Sequence, residues 1–82
     1  MSKSHTKEER FLIHLNKLAT EAKNLDEPFE YAEIAKSLGQ SEKGVKTTVQ
    51  ILTSTNFIKK LNKSKVFITP HGVKLVEQLE QS

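Results

Sequence analysis

Apolar residues recur along this chain first at intervals of three and four and later at intervals of two, and the changes in period mark the elements. Thr6 to Glu9 has the spacing of a capping box, in which the threonine caps a helix start and the glutamate reaches back to it. Behind it, Phe11, Leu15, Leu18, Ala22 and Leu25 form the core stripe of a long helix, widened by Leu12 and Ala19. Ile13 falls off that stripe, as does part of Leu12. A single small domain needs only one buried face on such a helix, so the extra apolar positions predict packing on a second subunit. Asp26-Glu27-Pro28 breaks the helix, because proline lacks the backbone N–H and biases its predecessor towards extended geometry. Tyr31, Ile34, Ala35 and Leu38 carry a shorter helix to Gly39, a residue suited to a left-handed stop, although no good capping residue precedes it.

Ser41 can cap the next helix, which runs to about Ser54 with Val45, Val49 and Leu52 on its inner face. Lys43, Lys46, Thr47 and Gln50 then share the opposite arc. Gly44 weakens the first turn by about 1 kcal/mol relative to alanine. That cost points equally to a close backbone approach, to the partner helix or a phosphate, and to a plain weak start. Phe57 to Leu61 and Lys65 to Thr69 read as two short strands joined by the turn-forming Asn62-Lys63-Ser64. Thr69 caps a last helix and Pro70 takes its first position, where a missing N–H costs nothing. Leu75, Val76 and Leu79 form the inner face of that helix, and Val73 is partly spare.

The segment Ile34 to Lys60, IAKSLGQSEKGVKTTVQILTSTNFIKK, resembles a helix-turn-helix. With the following hairpin and Phe67-Ile68-Thr69-Pro70-His71-Gly72, it is similar to the winged helix-turn-helix domains of bacterial, archaeal, phage or plasmid transcriptional regulators. The matching positions cover half to two-thirds of the chain. Asn56 stands where the family usually has glycine, and asparagine is the next most tolerant residue of a left-handed conformation. The resemblance implies an α+β, mainly α fold: a three-helix core, a short hairpin wing and a C-terminal helix. It also implies that Phe29 pairs as a short strand beside the wing, and that the helix over 41–54 docks on DNA together with the wing.

Charge agrees with that assignment. The net charge of +3 says little in total, but between Ser41 and Lys65 there are six lysines and one acid, Glu42. From Glu8 to Glu33, acids outnumber bases. On a helix entering the major groove, Lys43, Lys46, Thr47 and Gln50 would read base edges. Ser41, Lys59, Lys60, Lys63 and Lys65 would meet the phosphates, adding affinity and salt dependence without sequence information. Arg10 is the only arginine and lies outside this region, which predicts moderate specificity with an A·T preference. The plainer alternative is a solvated lysine face on which any single lysine is dispensable.

The 82 residues are expected to form a disordered basic arm over 1–5 and one domain over 6–80. Absence of cysteine excludes disulfides and thiolate zinc sites and suits a reducing cytoplasm, with nucleoid association following from DNA binding. No apolar run approaches the roughly 18 residues of a membrane span. His5, His14 and His71 lack metal-ligand spacing, and phosphate loops and nucleophile elbows are missing, so neither an enzyme nor a cofactor is expected. Leu12, Ile13 and Val73 are assigned to a homodimer face. Two other readings stay open: a winged-helix module that binds proteins and not DNA, and, with less support, an RNA binder, for which the chain has few exposed aromatics.

Overall fold

A computed structural model describes residues 5–81. Its elements run α1 (Lys7–Glu21), β1 (Phe29–Glu30), α2 (Tyr31–Leu38), α3 (Glu42–Ser54), β2 (Ile58–Lys60), β3 (Lys65–Ile68) and α4 (Pro70–Gln81). The fold is a winged helix-turn-helix, with α2 and α3 as the motif and β2–β3 as the wing. The arm expected over residues 1–5 lies outside the described residues except for His5.

The helix ends follow one rule. After α1, α2 and α3 comes a residue with positive φ, respectively Lys23 at 59°, Gly39 at 69° and Asn56 at 66°. Each is followed by an amide that reaches back over the last turn: Asn24 N–H to the Ala19 carbonyl at 3.2 Å, Gln40 to Ala35 at 2.8 Å, Phe57 to Leu52 at 3.0 Å. These are Schellman closures, which satisfy carbonyls that the helix end leaves without partners. Asn56 takes the left-handed role expected of it. Lys23 is the surprise, because a lysine there gives no stop signal. The apolar spacing accordingly carries α1 on through Ala22 and Leu25, whereas α1 ends at Glu21 and Leu25 is 44% exposed. Lys23→Gly should relieve the left-handed strain and raise stability by about 0.5–1 kcal/mol, a few degrees in Tm. Thermal unfolding followed by circular dichroism reads that gain.

Helix α1 sits centrally, packing on α2, α3, α4 and β3. Phe11, Leu12, Leu15 and Ala19 are buried in one core with Ile34, Ala35, Val45, Val49, Leu52, Ile58, Val66, Ile68 and Val76. A helix surrounded on several sides needs an apolar surface wider than one stripe. That overturns the subunit-contact reading of Leu12, whose side chain is wholly inside its own protomer. Ile13 and Val73 are half-buried against the same core.

The sheet order is β1-β3-β2, all antiparallel, with Phe29 opposite Val66 and Ile58 opposite Ile68. Phe29 therefore pairs beside the wing as the family resemblance implied. Helix α2 begins at Glu30 without a side-chain cap. Its first amide is satisfied across the sheet instead, Tyr31 N–H donating to the Ser64 carbonyl at 3.1 Å. At the other end of the hairpin, the Thr69 hydroxyl donates to the carbonyls of Asn56 and Phe57 at 2.7 and 3.1 Å and accepts from Gly72 N–H at 3.1 Å. One buried hydroxyl thus joins the exit of α3 to the start of α4.

Candidate nucleic-acid interface

The surface begins with the cap of α3. Ser41 Oγ accepts from Gly44 N–H at 3.0 Å. A Cβ on Gly44 would stand only 3.0 Å from that oxygen, so the close approach at this glycine is to its own cap. Val45, Thr48, Val49 and Leu52 point inward, with Thr48 joining the inner face beyond the apolar pattern. Lys43, Lys46, Thr47 and Gln50 are consequently all exposed, on the outward arc where the sequence placed them.

The wing is short and tightly built. Leu61 N–H donates to the Lys65 carbonyl at 2.9 Å. Asn62 Oδ1 accepts from the Ser64 amide, the Ser64 hydroxyl and the Lys65 amide at 2.9, 3.2 and 3.0 Å. That turn presents Lys63, and Leu61 at 58% exposure, to solvent. Register separates the strand lysines. Lys60 lies opposite Val66 and shares its face of the sheet, whereas Lys59 lies opposite Phe67 on the other face.

Because Lys60 is on the core side of the sheet but beyond the edge of the core, it lines a groove between α3 and the wing. Lys46, Gln50 and Thr53 of α3 line it as well, together with Tyr31 of α2. Lys65 does not join them. It lines a separate hollow with Glu30 and Glu33, directly across the strand pair from Glu30. The predicted residues thus divide: Lys46, Gln50 and Lys60 line one groove, Lys43, Thr47 and Lys63 are exposed outside it, Lys59 is exposed on the opposite face of the sheet, and Lys65 faces acids elsewhere. Tyr31 was read as an ordinary inner-face residue of α2. Its place on this surface follows from the pairing of β1 with β3, which local periodicity does not reveal.

None of the six lysines from Lys43 to Lys65 forms an ion pair among the described residues. The charge of Lys43, Lys46, Lys59, Lys60 and Lys63 is therefore free to act outward, and with Glu42 as the one acid between Ser41 and Lys65 it makes the α3–wing side positive. The histidines stand apart from it: His71 stacks on Phe57 at 4.6 Å between ring centres, and His5 lies 3.8 Å from Glu9. Among the described residues, no helix is long and apolar enough to cross a membrane.

No family model and no curated protein matches the chain. Among solved structures it is similar to IdeR from T. acidophilum, with a TM-score of 0.72 and 22% sequence identity. The match covers 94% of this chain and 34% of the IdeR chain, so this chain spans about a third of that protein's length. That likeness supports the winged-helix architecture derived above.

Proposed function

We propose that this protein binds double-stranded DNA as a small transcriptional regulator, with α3 in the major groove and the wing on the sugar-phosphate backbone. The carrying observation is the set of lysines on α3 and the wing that no carboxylate neutralises among the described residues. Lys46 and Lys60 line one groove with Gln50, and Thr47 is exposed on the same helix, whose inner face is fixed by Val45, Val49 and Leu52. Lysines supply sequence-independent affinity, whereas the amide of Gln50 can pair with adenine and the threonine with a hydroxyl acceptor or a thymine methyl.

The test is an amide-resolved NMR titration of the whole chain with a random-sequence duplex at two salt concentrations. Salt-sensitive shifts over Lys43 to Gln50 and Lys59 to Lys63 are expected. A spectrum that does not move at low salt refutes the reading. Once a preferred site has been selected, Gln50→Ala should lower the preference for it by about 1–3 kcal/mol while leaving random duplexes nearly unaffected. Equal loss on both would show that Gln50 does not read bases.

One observation favours the protein-binding alternative. Ile51, 42% exposed, lines a mainly apolar groove with Phe57 and Leu75, rimmed by Glu8 and Glu9 and separate from the lysine face. If the lysine face is inert to duplexes, this groove is the surface to test with proteins. Ile13 and Val73 remain the proposed subunit contact. A dimeric mass in solution predicts a palindromic site with half-sites about one helical turn apart, and a monomeric mass predicts a single half-site.

A further inference from the structure

Three large apolar side chains are exposed among the described residues: Leu25, Ile51 and Leu61. A lone exposed leucine needs no explanation, but two of these three stand in matching surroundings. Ile51 lines a groove between α1, α3 and α4 with half-buried Phe57 and Leu75. The groove holds about 200 Å³, below the roughly 300–1,000 Å³ of small-molecule sites, a size that suits one inserted side chain. Glu8 and Glu9 line it too. Glu9 Oε1 already accepts from the Thr6 amide at 2.8 Å, whereas the Glu8 carboxylate has no hydrogen-bond or ion-pair partner among the described residues.

Leu61, the most exposed of the three at 58%, supplies the counterpart. Its amide is held by the Lys65 carbonyl, and Asn62 Oδ1 accepts three bonds in the turn that follows, so the knob is ordered before it meets anything. Strand alternation places Leu61 on the face of Lys59, away from the groove that Lys60 lines with α3. The chain thus carries a basic apolar knob and an acidic apolar hole. We propose that the wing of one copy docks in the α1–α3–α4 groove of a second copy, Leu61 entering between Ile51, Phe57 and Leu75, and Lys59 meeting Glu8. The apolar insertion supplies the binding, and the exposed charge pair mainly orients it. Knob and hole are different surfaces, so the contact is head-to-tail, unlike the self-matching face proposed through Ile13 and Val73.

The test is sedimentation equilibrium of the whole chain, without DNA, at concentrations up to about 1 mM, the range of a weak contact of small area. The average mass should rise with concentration. Leu61→Asp and Ile51→Asp, each at an exposed position, should each weaken the association at least about tenfold while circular dichroism shows both variants folded. Mixed in equal amounts, the two variants should recover a pair, because one keeps the hole and the other keeps the knob. In that mixture amide shifts should fall at Glu8, Ile51 and Leu75 when the Leu61→Asp variant is labelled, and at Lys59 to Lys63 when the Ile51→Asp variant is labelled. Lys59→Glu should weaken the contact, and adding Glu8→Lys to the same chain should restore it. A wild type that stays monomeric at the highest concentration overturns the proposal. So does association unchanged by both aspartates, which would assign it to the Ile13 and Val73 face, and so does a mixture no heavier than either variant alone. None of these outcomes bears on DNA binding, which the duplex titration tests separately.

Discussion

Gly72→Ala should destabilise the protein by about 3 kcal/mol or more, which is a large share of the stability of a domain this size. A Cβ at Gly72 would overlap the Phe57 carbonyl oxygen and come within 2.9 Å of Ile68 Cγ1. The carbonyl cannot retreat cheaply, because it accepts from both the Thr69 amide and the Thr69 hydroxyl, each at 3.1 Å. Moving it breaks the joint between the end of α3 and the start of α4, and overpacking alone costs about 1–3 kcal/mol. Gly39→Ala makes an informative contrast, since its added Cβ would meet nothing within 4 Å and only the φ of 69° resists it. That substitution should cost about 1–2 kcal/mol. Urea denaturation of the two variants separates lack of space from backbone strain, and equal losses would mean that the Gly72 contact relaxes.

Salt should weaken duplex binding steeply. With Lys59, Lys60 and Lys63 each meeting a phosphate, log affinity should fall with log salt at a slope of about −2.7. Between about 50 and 200 mM salt this amounts to a loss of about 40-fold. Lys63→Ala should flatten the slope by about one unit. Lys65→Ala should leave it unchanged, because Lys65 lines a separate hollow with Glu30 and Glu33. Fluorescence anisotropy across a salt series gives each slope. A Lys65 variant that behaved like the Lys63 variant would show that the duplex wraps further round the wing than the groove beside α3.

Much of this fold was legible because its signals are local. The capping box at Thr6 and Glu9, the cap of α3 at Ser41, the stop at Gly39 and the left-handed Asn56 depend only on near neighbours, and the structure shows each of them. The misreadings share another origin. Leu12 was read as surplus because periodicity counts one buried face, while α1 is surrounded by four elements. The end of α1 was placed too late because Lys23 adopts a glycine-like conformation without being glycine. Within the candidate interface, the outward arc of α3 could be read from its inner stripe. The division of the wing lysines could not, since it depends on the register Lys60↔Val66 and Lys59↔Phe67, set by pairing between strands. Tyr31 was out of reach for the same reason.

The bond from Tyr31 to Ser64 and the pairing of β3 on both sides have a mechanical consequence. A hairpin held along one edge can swing, whereas this one is bolted to the start of α2, and α2 packs on α3. The span from α3 to the wing tip is therefore a fixed caliper. A duplex seated on it must supply the matching distance between major groove and flanking backbone, and any mismatch falls on the DNA as deformation. Sequences that bend or narrow easily would then be favoured at base pairs the protein never touches.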